Sequence, residues 1–217
     1  MMLPYFLSML FSFSLLYHTG TRGDEWKLIK DSERIKVYIK KQSKNNNYVN
    51  IRATTKSKGS LEIFGAIMQD VPNYDQWMHS VKKTTVVEKK SDYHFSYYML
   101  TDFPWPAKDR DVVLDMQFEW VPEENIFTTH SKNVNGAIPE KEDIIRIEEV
   151  NASYAFTRLK NNRIRIEYKG KINPGVNLPE WLKEKVYQIA PYNTLKNLRE
   201  YAQESKYEYT DFNLNEI

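Results

Sequence analysis

Residues 103–111 read FPWPAKDRD, and the nine residues that follow them read VVLDMQFEW. The first stretch combines two prolines, which restrict the backbone, with a tryptophan and four charges of alternating sign. The second alternates apolar with mostly polar side chains, so it predicts a β-strand with one apolar face. The members of that face are Val112, Leu114, Met116, Phe118 and Trp120. A stiff, charged loop therefore leads directly into the clearest strand of the chain.

The sequence predicts further strands on both sides of this one. They are a strand pair within 26–41, then strands within 48–55, 81–89, 93–101, 125–132, 143–150 and 153–159, and one at 163–169 that follows a turn at Asn161 and Asn162. Because the connections between most of these segments are short, we expect an antiparallel meander rather than parallel pairing.

Two helical segments interrupt and close this strand-rich region. Ser60 is a candidate N-cap for a helix that ends before Pro72, and Tyr74 and Trp77 belong to a short second turn. Apolar residues recur at helical spacing from Leu178 to Tyr201. Pro191 lies inside that stripe and is expected to kink or divide the helix. Residues 204–217 are polar and predict a frayed tail.

The chain begins with an apolar segment. Residues 1–17 contain no charged side chain, and the run is about as long as the apolar part of a secretory signal, shorter than the roughly 20 residues that span a bilayer. We interpret residues 1–22 as a signal peptide or N-terminal anchor, with a buried N-terminal helix as the alternative. This predicts a protein that is exported, to the periplasm or the exterior, or tethered to a membrane.

Composition excludes several classes of function. The 217 residues carry 31 basic and 29 acidic side chains, so the net charge of +2 gives no basic surface for nucleic acid. The absence of cysteine removes thiol chemistry and cysteine-based metal sites. The four histidines are not at ligand spacing, and the seven glycines form no nucleotide-binding motif. We predict one domain with no nucleic-acid partner, no metal and no cofactor.

The charged end of the loop is the remaining candidate for catalysis. Asp109 and Asp111 flank Arg110, and a guanidinium so close favours the ionised carboxylates, which makes them poor general acids. We therefore interpret the three residues as an ion cluster that pins the loop. An apolar strand face and an amphipathic helix without a reactive group between them predict a pocket that binds rather than converts its ligand.

Several motifs together carry a family resemblance. They are Trp26, the YDQW segment at 74–77, the loop PWPAKDRD at 104–111, Arg146, and the segment from Asn173-Pro174-Gly175 to LPEWL at 178–182. In this order and spacing the chain resembles the START family of lipid-transfer domains. The resemblance covers residues 25–203, and we place the domain at residues 24–203, followed by the tail at 204–217.

The resemblance implies an α+β helix-grip fold, in which a curved antiparallel sheet wraps around a long C-terminal helix and encloses a hydrophobic tunnel. It implies one bound lipid, a gate formed by the 103–111 loop and the final helix, transient membrane contact, a monomer, and no catalysis. The ligand-binding residues we expect are Tyr97, Met99, Trp105, Leu114, Met116, Phe118, Trp120, Arg146, Trp181, Leu182, Val186 and Ile189. For Arg146, the alternative role as a structural ion-pair partner of Asp109 or Asp111 is the one that we favour over contact with a lipid head group.

One position departs from the sterol-binding members of the family. Those members carry an inward arginine on this strand with an acidic partner on the preceding one. This chain has Met116 at the first position and only Ser96, Tyr97 or Tyr98 at the second. Methionine adapts to irregular apolar shapes, so an acyl chain, an isoprenoid or another largely apolar ligand is expected instead of a sterol.

Two other functions are compatible with the same fold. The first is a cyclase, aromatase or hydrolase, which needs an acid or base inside the tunnel; the candidates are Tyr97, His94 and Glu149. The second is a lipid-sensing interaction module, in which the lipid changes the affinity for a protein partner.

Overall fold

The computed structural model describes residues 25–41, 48–147, 149–173 and 178–217. The predicted signal or anchor at 1–22 and the Pro174-Gly175 segment lie outside the described residues. The strands are β1 Lys27–Ser32, β2 Ile35–Lys41, β3 Val49–Lys58, β4 Val81–Ser91, β5 His94–Thr101, β6 Asp109–Val121, β7 Ile126–Asn133, β8 Ile144–Arg146, β9 Glu149–Leu159 and β10 Arg163–Asn173. The helices are α1 Leu61–Gln69, α2 Glu180–Glu184 and α3 Ala190–Tyr201.

The described strands form one large sheet in the order β1-β2-β3-β10-β9-β7-β6-β5-β4. Along this path every pairing is antiparallel, as the short connections predict. The prediction of separate strands at 143–150 and 153–159 is wrong. Instead, the three residues of β8 pair in parallel with the start of β6, and β9 is a single strand that begins at Glu149.

Local signals in the sequence account for the ends of several elements. Ser60 caps α1, and its hydroxyl accepts a hydrogen bond from the Ile63 N–H at 3.4 Å. Asn161 and Asn162 both have positive φ, at 61° and 50°, which matches the tight turn predicted between β9 and β10. Val71–Gln76 forms the short second turn, and it places Tyr74 and Trp77 in the core.

The C-terminal helix runs from Glu180 to Tyr201 with one widened turn. Between α2 and α3, Lys185–Ile189 forms a π-helical turn, closed by a hydrogen bond from the Ala190 N–H to the Lys185 carbonyl. Pro191 has no N–H to donate, so it cannot close an ordinary turn here. The expected disturbance at Pro191 is therefore a local widening of the helix just before it.

The turn between β1 and β2 fastens α3 to the sheet. Glu33 accepts hydrogen bonds on its carboxylate from the Tyr192 hydroxyl at 3.0 Å and from Lys196 at 3.1 Å. The backbone carbonyl of Glu33 accepts a further hydrogen bond from Arg199 at 2.8 Å. These contacts hold the second half of the helix across the concave face of the sheet.

The polar tail is packed, contrary to the prediction that it frays. Phe212 is 7% exposed and its ring lies 5.6 Å from that of Phe127 and 6.2 Å from that of Phe118. It lies directly on α1, where a Cβ added at Gly65 would come within 2.1 Å of the Phe212 ring. Tyr207 donates a hydrogen bond to Asp70 at 2.7 Å. A few aromatic side chains therefore dock a segment whose average composition is polar.

Candidate functional site

A cavity of about 500 Å³ lies between the sheet and the C-terminal helix. Its walls come from strands β3, β5, β6, β7, β9 and β10, from α2 and α3 with the turn between them, and from the chain around residues 78–81 and 101–104. Most of the surface is apolar, and its volume is in the range of small-molecule sites, roughly 300–1,000 Å³.

Strand β6 shows how the sequence builds this wall. Val112, Leu114 and Met116 all line the cavity, since alternate residues of a strand point to the same side. Met116 is 1% exposed, and its sulfur lies 3.8 Å from the Tyr74 hydroxyl. Sterol-binding members of the family were expected to carry an arginine at this position. In this chain Met116 gives a ligand an apolar surface there instead.

The structure brings part of the predicted ligand-binding set together around the cavity. The predicted residues that line it are Tyr97, Met99, Leu114, Met116, Leu182, Val186 and Ile189. The predicted residues that do not line it are Trp105, Phe118, Trp120, Arg146 and Trp181.

Two of the residues outside the cavity share the inward face of β6. Phe118 packs in the aromatic cluster with Phe127 and Phe212, at 5.4 and 6.2 Å between ring centroids, and Trp120 lies further along the strand. The strand is longer than the cavity, and the docked tail fills the space beyond it.

The two other tryptophans in the set are exposed. Trp105 is 91% exposed and Trp181 is 43% exposed. The chain at Trp105 forms a tight turn, in which the Ala107 N–H donates to the Pro104 carbonyl at 3.0 Å and the Trp105-Pro106 peptide is cis. Prolines favour extended backbone in and just before them, and the turn here departs from that preference. Its neighbours Phe103 and Pro104 line the cavity, whereas the Trp105 side chain projects into solvent next to them.

Arg146 forms a buried ion pair with Asp111. The guanidinium Nε donates to one carboxylate oxygen at 2.6 Å and Nη2 to the other at 3.1 Å, and the two side chains are 7% and 2% exposed. Arg146 also donates to the Ile138 carbonyl at 3.1 Å. The hydrogen bonds to Asp111 raise the pKa of Arg146. The pair joins β8 to the outer face of β6, which fits the alternative role for Arg146 as a structural partner.

The predicted ion cluster of Asp109, Arg110 and Asp111 is wrong in its pairing. Asp109 pairs with Lys82 at 2.9 Å, whose hydrogen bond lowers the pKa of this carboxyl, and Asp111 pairs with Arg146. Among the described residues no carboxylate lies within 4.0 Å of the Arg110 guanidinium. The reason is strand alternation: the two aspartates point outward, whereas Arg110 points to the cavity side with Val112 and Leu114.

The remaining polar groups of the cavity are mostly hydroxyls. Tyr97, Tyr154 and Tyr168 line it together with Ser131, and burial raises the pKa of Tyr97 and Tyr154 above their usual value and that of Tyr168 to about 12. Such neutral phenols can donate or accept a hydrogen bond but exchange protons poorly at neutral pH. His79 also lines the cavity, and burial lowers its pKa.

Of the three acid/base candidates, the structure places only Tyr97 in the cavity lining. His94 lies on the opposite face of the sheet, where its Nε2 is 3.0 Å from both oxygens of Asp115. Glu149 pairs with Lys171 at 3.5 Å and does not line the cavity.

Sequence reasoning missed wall residues on β9 and β10 and at the end of the short second turn. Val150, Ala152 and Tyr154 line the cavity from alternate positions of β9, and Met78 and His79 line it from the chain just before β4. Strand alternation is a signal that could have identified the β9 residues. It could equally have identified Arg110, because Arg110 and Val112 are two residues apart on β6 and point to the same face.

Within the described ranges, no three His, Cys, Asp or Glu side chains are grouped so that they could hold a metal ion. In the same part of the chain no helix has the length and apolarity needed to cross a bilayer.

Comparison with known proteins gives one consistent result. A family model described as the START domain matches residues 15–208. An uncharacterized protein of Pseudomonas aeruginosa is 27% identical over 181 residues, which cover 83% of this chain and 88% of that protein. The phosphatidylcholine transfer protein of Mus musculus is 25% identical over 186 residues, which cover 81% of this chain and 83% of that protein.

A solved structure of a lipid transfer protein has a similar fold. The STAR-related lipid transfer protein fragment from Xanthomonas axonopodis has a TM-score of 0.73 and 25% sequence identity, covering 83% of this chain and 100% of that chain. A curved antiparallel sheet closed by a C-terminal helix around an apolar cavity defines the helix-grip class of fold, and the predicted fold is confirmed. The chain belongs to the START domain family.

Proposed function

We propose that this protein binds one hydrophobic lipid in the cavity and carries it between membranes without chemical conversion. The observation that carries the proposal is the apolar cavity of about 500 Å³ closed by the C-terminal helix. Its support comes from family membership and from relatives named as lipid transfer proteins. At roughly 25 cal/mol per Å², a ligand that buries about 400 Å² of apolar surface gains about 10 kcal/mol before the costs of ordering it.

The proposed opening of the cavity lies between the 103–111 loop and α2. Phe103 and Pro104 form one side of it, and Leu182 and Val186 the other. We propose that a lipid enters and leaves here while the loop touches a membrane, that the carrier works as a monomer, and that it is exported or tethered through residues 1–22.

Native mass spectrometry of the purified protein tests the function. We expect one lipid per chain, which extraction into chloroform removes and identifies. A transfer assay between donor and acceptor vesicles with no other protein present distinguishes a carrier from a lipid sensor, since a carrier exchanges lipid unaided. A protein that stays empty when offered lipid and exchanges none between vesicles contradicts the proposal.

The exposed tryptophan of the loop gives a prediction about membrane contact. Trp105 is 91% exposed beside the opening, and indoles favour the interface between water and lipid. Losing the insertion of this ring costs about 1.5–3 kcal/mol, so Trp105→Ala should slow vesicle-to-vesicle transfer roughly ten- to a hundredfold. Because Trp105 does not line the cavity, the amount of lipid bound at equilibrium should stay the same.

Tyr209 supplies the matched control, since it is 87% exposed and lies in the tail, away from the loop. Tyr209→Ala should transfer lipid at the unchanged rate. Equal rates for Trp105→Ala and the unmodified protein would show that this side chain does not contact the membrane.

A further inference from the structure

Arg110 is a buried cation that forms no ion pair within 4.0 Å among the described residues. The residue is 3% exposed, it lines the cavity, and its Nε is buried with no hydrogen-bond partner among the described residues. Nη1 donates to the Lys108 carbonyl, and the guanidinium lies over the Phe103 ring, 4.3 Å from its centroid. Buried charges in proteins are normally paired, so this guanidinium has unused capacity to bind an anion.

The carboxylates near Arg110 are occupied by other cations. Lys82 pairs with Asp102 at 2.7 Å and with Asp109 at 2.9 Å, and Arg146 pairs with both oxygens of Asp111. These pairs lie around the start of β6. Among the described residues, Asp102 is the one carboxylate that lines the cavity, and it is already paired with Lys82. Asp102 and Asp109 share Lys82, and Asp109 acts on Arg110 only through a longer-range Coulombic interaction, so the Arg110 guanidinium has no carboxylate in direct contact among the described residues.

Two charged residues of the cavity lining, Asp102 and Arg110, lie beside the loop, whereas the lining further along β6 is uncharged. Val81, Thr101 and Arg110 lie opposite one another on β4, β5 and β6, next to the loop, and Lys185 lines the cavity from the helix side. Met116 lies six residues further along β6, about 20 Å away at the usual strand rise. A ligand with a charged head at Arg110 and an apolar tail extending toward Met116 matches this division.

The volume favours a small lipid. A cavity of about 500 Å³ lies in the lower half of the range of roughly 300–1,000 Å³ for small-molecule sites, which suits a lipid with one acyl chain better than one with two.

We propose that the ligand is a single-chain lipid whose anionic head group, a carboxylate or a phosphate, binds Arg110. A guanidinium presents its N–H groups in a planar fork that suits both anions. Desolvation lowers the pKa of Arg110, and a bound anion offsets this loss of hydration. The inference rests on the proposed lipid-binding function and adds the chemical class of its ligand.

Three lipids with the same oleoyl chain test the inference: oleic acid, oleoyl lysophosphatidic acid and monooleoylglycerol. Dissociation constants are measured by displacement of a neutral fluorescent lipid from the purified protein. We expect at least one of the two anions to bind tenfold or more tighter than the neutral glyceride, and the tighter anion identifies carboxylate or phosphate as the preferred head group.

Substitutions at Arg110 connect this preference to one side chain. Arg110→Gln should weaken anion binding at least tenfold and leave monooleoylglycerol binding within twofold, whereas Arg110→Lys should keep part of the preference. Thr101→Asp places a carboxylate opposite Arg110 on the neighbouring strand, so it should compete with the ligand and remove the preference without loss of a buried cation. This second variant decides the question if Arg110→Gln does not fold.

The outcomes separate the two proposals. Equal binding of all three lipids, or an anion preference that survives both Arg110→Gln and Thr101→Asp, would overturn the role of Arg110 and leave lipid binding intact. If none of the three lipids displaces the fluorescent lipid, the inference fails, and if the fluorescent lipid does not bind either, the proposed function fails with it.

Discussion

Replacing Asp111 with alanine is expected to destabilise the protein by about 3–5 kcal/mol, because it leaves the buried Arg146 guanidinium without its counter-ion. Asp111 accepts two hydrogen bonds from Arg146, at 2.6 and 3.1 Å, and both side chains are almost fully buried. The measurement is the free energy of unfolding from urea titration monitored by circular dichroism.

Asp109→Ala is the matched control. Asp109 lies two residues away and pairs with Lys82, and the two side chains are 24% and 46% exposed. Exposed pairs contribute about 0–1 kcal/mol, so this variant should lose far less stability. The double variant Asp111→Leu with Arg146→Met should recover much of the loss, since a buried ion pair can be replaced by apolar side chains of similar volume. Equal losses from Asp109→Ala and Asp111→Ala would show that burial adds nothing to this pair.

Filling the cavity is expected to abolish lipid binding while the fold persists. Ala152 lines the cavity from β9, between Ser131 on β7 and Gly170 on β10. In Ala152→Trp the indole occupies space that a ligand needs, so we expect the lipid retained per chain, measured by native mass spectrometry, to fall at least tenfold. Because the ring enters an existing cavity, the cost of overpacking should stay at or below about 1–3 kcal/mol.

Ala155→Trp tests whether the effect depends on the face of the strand. Ala155 lies three residues further along β9 on the outer side of the sheet, opposite Thr128 and Glu167. The same substitution there should leave lipid binding unchanged. If Ala152→Trp folds and still retains a full complement of lipid, the cavity between sheet and helix is not where the lipid binds.

The elements of the fold that the sequence predicted correctly are those determined by residues close together in the chain. Alternation identified β6, a serine hydroxyl identified the start of α1, and an Asn-Asn pair identified the turn before β10. The short β8 and the docked tail depend on contacts far apart in the chain: Asp111 with Arg146, and Phe212 with Phe118 and Phe127. No local pattern predicts such pairs.

Prediction of the candidate site was limited in the same way, because local patterns do not show contacts between distant residues. Alternation placed Leu114 and Met116 on the cavity wall, but it could not show that Phe118, on the same face, lies beyond the end of the cavity. Continued back by one step, alternation would have placed Arg110 on the inward face, but the charges on either side suggested pairing along the chain. Neighbours in a strand point to opposite faces, so that interpretation was wrong for a geometric reason.

The pairing of β3 with β10 has a consequence for biosynthesis. Lys58 at the end of β3 lies opposite Arg163, so the edge of β3 finds its partner only after roughly a hundred further residues have been made, a delay of about 5–20 s on a ribosome. During that time β1, β2 and β3 have only one another, and an unpaired strand edge can associate with other chains. Sequence-distant pairing of this kind also slows folding. The nascent chain is therefore expected to be most prone to aggregation before its last strand emerges.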